Sequence, residues 1–157
     1  MDTLIFGKVI PSYPLEAQET CHQLIGNIIH QINTQEDDNR YLLLSDGENS
    51  MEFVLSKLAD YNYQQRKEGN IETGDIILLY ENGMLLHSMI AITANLWFGV
   101  NNTGTFARTF ELIGIPVDTL LNRREIDLNL VSNFVPASRQ ITLADGKQFE
   151  LAVYSNR

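Results

Sequence analysis

The chain has 157 residues, 44% of them hydrophobic and 20% charged, a size and balance typical of one globular domain with a sizeable core. We therefore predict that residues 1–157 fold as a single domain and are not intrinsically disordered. Eleven basic against twenty acidic side chains give a net charge of −9, which disfavours binding to nucleic-acid phosphates and docking on an anionic membrane surface.

Signals for export or membrane insertion are weak. Cys21 is the single cysteine, so no disulfide can form within the chain, which fits folding in a reducing cytoplasm. The N-terminus lacks the basic start and long apolar stretch of a cleavable signal peptide. The longest apolar run, 84–98, is interrupted by polar residues and is too short to span a bilayer. We expect a chain without a membrane span that folds in the cytoplasm, and export as an effector by another route stays compatible with this pattern.

Helices are predicted in the first third of the chain. Thr20 is a suitable N-cap, and the polar run 33–40 ends the first helix. A second helix is expected from Ser50, after a short strand at 41–44 and a turn at 46–47. The first helix has a continuous apolar stripe at helical spacing, formed by Cys21, Leu24, Ile25, Ile28, Ile29 and Ile32.

From residue 74 onward the pattern is typical of strands. Asn82-Gly83 separates two apolar runs and is a strong signal for a two-residue hairpin turn. We predict consecutive antiparallel strands packed on the first helix, at 75–80, 84–93 and 96–102. A short helix and a terminal hairpin complete the prediction, at 117–121 and at 139–143 paired with 148–154. The expected fold class is α+β, with N-terminal helices on a largely antiparallel sheet.

Metal and nucleotide sites have little support in the sequence. One cysteine and three histidines supply no Cys-x-x-Cys pair, and His22 and His30 share a helix face only approximately. The segment around Gly104 lacks the lysine and the strand-to-helix context of a phosphate-binding loop. We therefore expect neither a bound metal nor a cofactor.

Cys21 and His87 are the two residues that could carry nucleophilic chemistry. At the start of a helix, unpaired backbone N–H groups and the helix dipole stabilise a thiolate, which is the reactive form of cysteine. The plainer interpretation is that Cys21 is a small buried hydrophobe. Strand alternation places His87 on one face with Leu85, Met89 and Ala91, where the imidazole must find a hydrogen-bond partner.

An asparagine could be that partner. If the next turn centres on residues 94–95, strand pairing places Asn101 or Asn102 opposite His87. A carboxamide beside the imidazole would complete a Cys–His–Asn relay of nucleophile, base and orienting group. Asn101 is favoured because its face also carries Gly99, which leaves room for a substrate. The plainer interpretation is a structural histidine hydrogen bonded to a neighbouring asparagine.

These features resemble the papain-like and NlpC/P60-like thiol hydrolases, and most of all their small bacterial toxin and effector versions. The resemblance rests on Cys21 at a helix start, on Gly74-Asp75 before an apolar strand, on His87 opening another, and on the segment 97–102. It covers about residues 18–106, and the order Cys, His, Asn is that of the family. The sequence departs from papain next to Cys21, where neither glycine nor tryptophan is present.

The resemblance implies a papain-like fold and attack by Cys21 on an amide carbon of a protein or peptide, as in a peptidase or glutamine deamidase. His87 would be the base, and Asn101 or Asn102 would orient the imidazole. The backbone N–H of Cys21, together with Gln18, would bind the oxyanion. Gln18 stands three residues before Cys21, in place of the glutamine that often serves this role in the family. The acidic surface favours a protein substrate or target with a basic or neutral face.

The alternative is a non-enzymatic acidic binding module, such as a secretion chaperone or a toxin immunity protein. The segment 94–98 faintly resembles type III secretion chaperones, whereas the predicted terminal hairpin argues against that class because those chaperones close with a helix. Under this hypothesis Cys21 belongs to the core and His87 has no catalytic role. The two hypotheses differ in the reactivity of the thiol.

Overall fold

The described part of the chain places two helices against an antiparallel sheet. The computed structural model describes residues 3–14, 19–35, 40–100, 123–127, 136–142, 146 and 148–157. The helices within these ranges are α1 (Cys21–Asn33) and α2 (Ser50–Asp60). A 3₁₀ turn is formed by Pro136–Ser138. The strands are β1 (Thr3–Ile5), β2 (Lys8–Ile10), β3 (Gln64–Arg66), β4 (Ile76–Glu81), β5 (Met84–Ala91), β6 (Leu96–Val100), β7 (Arg123–Asp127), β8 (Gln140–Thr142) and β9 (Gln148–Ser155).

The strands form one large sheet and one small hairpin. The large sheet has the order β3-β9-β4-β5-β6-β7, and β8 pairs with β9 beside this path. β1 and β2 pair separately as a hairpin. All described strand pairs are antiparallel. The predicted α+β class with a largely antiparallel sheet is therefore confirmed. Among the described residues, neither helix is long and apolar enough to cross a membrane.

α1 forms where the sequence predicts it, because both its cap and its apolar stripe favour a helix. The Thr20 hydroxyl accepts a hydrogen bond from the Gln23 backbone N–H at 3.1 Å, and the Gln23 side chain accepts one from the Thr20 N–H at 3.2 Å. This capping box satisfies two donors at the helix start. α2 also begins at the predicted residue, with Asn49 as its N-cap.

The three central strands confirm the predicted β4–β5–β6 succession. Asn82 and Gly83 both have positive φ angles, 49° and 78°, as a two-residue hairpin turn of the primed type requires. The terminal hairpin is also confirmed, since β8 pairs with β9. The predicted helix at 117–121 lies outside the described residues.

The sheet is buried on both faces, which separates the apolar interior into two parts. The helix-side core lies between the helices and the sheet and includes Leu24, Ile28, Leu78, Ile90 and Phe98. The far-side core lies on the other face and includes Ile77, Leu79, Met89, Trp97 and Phe149. Because both faces are covered, the central strands are continuous apolar runs instead of alternating ones.

A β-bulge in β5 overturns the predicted alternation around His87. Leu79 pairs with His87, whereas the next residue, Tyr80, pairs with Leu85, so that Leu86 is an extra residue in β5. Leu85 therefore belongs to the helix-side core, while Met89 belongs to the far-side core. The expectation that these two residues share a face with His87 was wrong for Leu85, because the bulge changes the side on which β5 residues project.

The predicted strand at 41–44 was wrong, because a side chain takes the hydrogen bonds that a strand would use. Asn27, fully buried in α1, accepts a hydrogen bond from the Leu42 N–H at 2.6 Å and donates one to the Leu42 carbonyl at 3.1 Å. It also donates to the Gln23 carbonyl at 2.9 Å. The segment 40–45 is thus held against α1 by one carboxamide without pairing to another strand.

We expect Asn27→Ala to lower the free energy of unfolding by about 1 kcal/mol, because both backbone groups of Leu42 lose their side-chain partner. Leu42 is only half-buried, so water can replace part of what is lost. Chemical denaturation measures this change. Asn95→Ala is the matched control because Asn95 is exposed, and an unaltered stability for Asn27→Ala would contradict the anchoring role.

Four strands do not follow from the sequence pattern, namely β1, β2, β3 and β7. β1 and β2 are joined by Phe6 and Gly7, both at positive φ, and a phenylalanine in that conformation is not a hairpin signal. β3 is polar and fully exposed, and β7 pairs with β6 through a sequence rich in charge. β3 is a strand because it pairs with β9, and β7 is a strand because it pairs with β6. The local sequence of these two segments does not encode such pairing.

Candidate functional site

Cys21 is the first residue of α1 and lies inside the helix-side core. Its side chain is fully buried. The capping box formed by Thr20 and Gln23 fixes the helix start directly before and after it. The prediction that Cys21 sits at a helix N-terminus and points toward the sheet is confirmed. The backbone N–H groups of the first turn are the feature that favours a thiolate at this position.

The side chain next in sequence, His22, is tied to the sheet. Its Nδ1 lies 2.9 Å from the hydroxyl oxygen of Ser88 in β5, and both side chains are buried. Burial lowers the pKa of His22 to about 4. At neutral pH this imidazole is therefore uncharged, and one of its ring nitrogens is engaged with the Ser88 hydroxyl.

His87 is fully buried and belongs to the other face of the sheet. Its direct cross-strand partner is Leu79, and directly paired residues project on the same side, which here is that of the far-side core. The neighbouring strand agrees: a Cβ built on Gly99 would lie 3.6 Å from Nε2 of His87. The imidazole therefore lies within van der Waals range of the Gly99 position.

The pKa of His87 is lowered well below its usual value. Burial is the main cause, and the nearby positive charge that His22 would carry on protonation acts in the same direction. Near the start of α1, His22 and Ser88 are thus paired on the helix side of the sheet, and His87 is buried on the opposite face of β5. Polar groups inside an apolar core are costly, and perturbed pKa values of this kind often mark functional sites.

The structure brings some of the predicted site residues to one region and leaves others undetermined. Cys21 and its neighbour His22 lie on the helix side of the sheet together with Ser88, while His87 projects from the opposite face. Gln18, Asn101 and Asn102 lie outside the described residues. The Cys–His–Asn relay stays a prediction.

The pairing of His22 with Ser88 does not follow from the sequence pattern. The pattern relates His22 only to His30, whose Nδ1 instead lies 2.7 Å from the Tyr61 hydroxyl oxygen. The available signal was the position of two polar residues, His22 and Ser88, directly beside the two candidates Cys21 and His87. Successive residues of a strand project on opposite faces, so Ser88 lies on the face opposite His87. This is the local signal that relates Ser88 to the start of α1.

The face of β6 that was expected to admit a substrate is also buried. Trp97 lies in the far-side core and donates from Nε1 to the Ala94 carbonyl at 3.0 Å. Phe98 and Val100 lie in the helix-side core. Over its described length, β6 therefore presents apolar core residues on both sides.

A metal site finds no support among the described side chains, since no group of three or more His, Cys, Asp or Glu residues in those ranges is placed to hold an ion. Comparisons with known proteins add no family. No protein-family model, curated protein or solved structure matches this chain.

Proposed function

We propose that this chain is a thiol hydrolase of papain-like fold, which acts on an amide bond of a protein or peptide with Cys21 as its nucleophile. The observation that carries the proposal is the position of Cys21 at the start of α1, followed directly by His22, whose buried imidazole contacts the hydroxyl of Ser88, the neighbour of His87 in β5. Thiol chemistry needs a nucleophile whose thiolate is stabilised, as at a helix start, and an imidazole that can reach it.

In this proposal Cys21 and His87 divide the chemistry as in other cysteine hydrolases. His87 accepts the thiol proton while the sulfur attacks the amide carbon, and it returns that proton to the departing amine or ammonia. Water then attacks the resulting thioester, releases the carboxylic acid and restores the thiol. Asn101 or Asn102 would orient the imidazole, and the Cys21 backbone N–H with Gln18 would stabilise the oxyanion.

The proposal requires a rearrangement of β5, because His87 projects from the face opposite α1. At present Leu86 and His87 form the bulge, and both pack on the far-side core. Moving the bulge by one residue toward Ser88 would place His87 beside Ser88 on the helix side. A shift of one residue is sufficient because it moves a side chain from one face of a sheet to the other, and bulges near active sites commonly redirect side chains in this way.

The reactivity of the thiol tests the proposal. Cys21 is the only cysteine, so alkylation by iodoacetamide reports on it alone. We expect the native chain to be alkylated at about pH 6.5 faster than a free cysteine, because an activated thiolate is populated there. We expect His87→Ala to slow the reaction by roughly ten-fold or more.

His30→Ala is the matched control, since this histidine lies at the other end of α1 against Tyr61 and should leave the rate of alkylation unaltered. Alkylation that occurs only on unfolding, or equal rates in the His87 and His30 variants, would overturn the proposal. Mass spectrometry of candidate protein substrates then separates the reaction types: a gain of about one dalton indicates deamidation, and a backbone cut indicates proteolysis.

The second candidate function is a non-enzymatic acidic binding module. One observation favours it: the Cys21 side chain is completely buried, as expected for a core residue. The same alkylation experiment decides between the two functions, because a structural thiol in the core reacts only when the chain unfolds.

A further inference from the structure

An apolar groove lies between α2 and the tip of the β4–β5 hairpin, and neither Cys21 nor His87 lines it. Its volume is about 480 Å³, within the range of roughly 300–1,000 Å³ that is common for binding sites. Met51 and Leu55 form the helix wall. Tyr80, Met84 and Leu85 form the hairpin wall.

The walls of this groove expose large apolar side chains to solvent. Met84 is 64% exposed, and Leu55 and Met51 are 41% and 36% exposed. Exposed apolar side chains gathered around one concave site are typical of an interaction surface. Methionine is unbranched and polarisable, so the two methionines that line this groove can adapt to the side chains of a partner.

The shape of the groove favours a helix as its occupant. Met51 and Leu55 are four residues apart on α2 and form a ridge along the helix, against which the ridge of a second helix can pack. The backbone of α2 is hydrogen bonded within the helix, so this wall offers side chains and no open strand edge. Recognition through an apolar helix face inserted into a groove fits such a wall.

The negative charge of the groove and of the whole chain favours a basic helix as the partner. Among the described residues that line the groove, Glu52 is the charged one. The chain as a whole carries a net charge of −9. A partner with basic side chains along the rim of its apolar face is therefore attracted, whereas an acidic one is repelled.

We propose that this groove binds an amphipathic helical segment of a partner protein, with apolar residues in the groove and Lys or Arg facing Glu52. The inference goes beyond the proposed hydrolase activity and does not require it. The Cys21→Ser variant should bind the segment as tightly as the native chain does, so a failure of the thiol chemistry and a failure of the groove are distinguishable.

The test uses a fluorescent synthetic helix with leucines at i, i+4 and i+7 and lysines on the remaining face, together with a scrambled version of equal composition. We expect saturable binding of the helix, measured by fluorescence anisotropy, and a weaker affinity at high salt because the rim charges are screened. Met84→Asp should weaken binding by roughly ten-fold or more, as loss of a central anchor does. Glu52→Lys should weaken binding of the lysine-bearing helix and strengthen binding of one in which the lysines are replaced by glutamates.

Leu4→Asp is the matched control, because Leu4 is 68% exposed on the separate N-terminal hairpin. Circular dichroism establishes that each variant is folded, a necessary control for Glu52→Lys because the Glu52 carboxylate accepts a hydrogen bond from the Asn49 side chain at the start of α2. Equal binding of the scrambled peptide, or equal affinities of the Met84 and Leu4 variants, would overturn the proposal. So would a dimer, seen by analytical ultracentrifugation, that Met84→Asp dissociates, since the groove would then be covered by a second copy of the chain.

Discussion

We expect His22 to lower the free energy of unfolding by about 2 kcal/mol between about pH 7 and about pH 5, because its imidazole resists protonation in the folded state. Its pKa is about 4 when folded, against 6.5 for an ordinary histidine. As the pH falls below 6.5, His22 binds a proton in the unfolded chain and stays neutral in the folded chain. The contribution of His22 to stability is therefore fully present above the pKa that His22 has in the unfolded chain. This contribution is lost progressively toward pH 4, where the loss reaches about 3 kcal/mol.

His87 acts in the same direction, since its pKa is also lowered by burial. The total acid sensitivity should therefore exceed the contribution of His22 alone. Urea denaturation at several pH values from about 7 to about 5 measures it, above the range in which ordinary carboxylates are protonated. His22→Gln keeps a neutral polar side chain beside Ser88 and should remove about 2 kcal/mol of the pH dependence. A stability that stays level over this range in the native chain would contradict the burial of neutral imidazoles.

The second large effect is expected at the contact between the two helices. The ring of Phe53 from α2 occupies the space in which a side chain at Gly26 of α1 would lie, and a Cβ there would clash with the ring. Overpacking of this kind costs about 3 kcal/mol, and the better helix propensity of alanine returns about 1 kcal/mol. We therefore expect Gly26→Ala to destabilise the fold by about 2 kcal/mol, measured by chemical denaturation.

A double-mutant cycle with Phe53→Leu isolates this contact. The smaller, more flexible leucine should accommodate the added methyl group, so that Gly26→Ala costs much less in the Phe53→Leu background than in the native chain. If Gly26→Ala instead raises the stability by about 1 kcal/mol, helix propensity alone governs this position and the close packing of α1 on α2 is wrong.

Helices and strands whose caps, side-chain periodicity or turn residues lie within a short stretch of sequence could be predicted. α1 has a capping box and an apolar stripe at helical period, and β4 and β5 are joined by Asn82-Gly83, which adopts positive φ easily. The segment 40–45 shows the limit of such patterns. Its apolar residues suggest a strand, but the Asn27 carboxamide, which comes from a distant part of the chain, takes both backbone groups of Leu42.

The candidate site was predictable in its residue types and not in its geometry. Cys21 at the start of α1 follows from the position of Thr20 and the apolar stripe, and the structure confirms it. The face of His87 does not follow from alternation, because the bulge at Leu86 changes the side on which β5 residues project. The engagement of His22 with Ser88 joins residues 66 positions apart, a contact that periodicity within one element cannot reveal.

The sequence by itself determined the α+β class, the helix that carries Cys21 and the central hairpin, because side-chain periodicity, capping and turn conformation are properties of neighbouring residues. Only the tertiary structure decided which face of the sheet each polar residue of β5 occupies. A single extra residue in one strand costs little locally, but it redirects every side chain beyond it relative to the two cores. For this protein that one residue places Ser88 against α1 and His87 on the far side of the sheet.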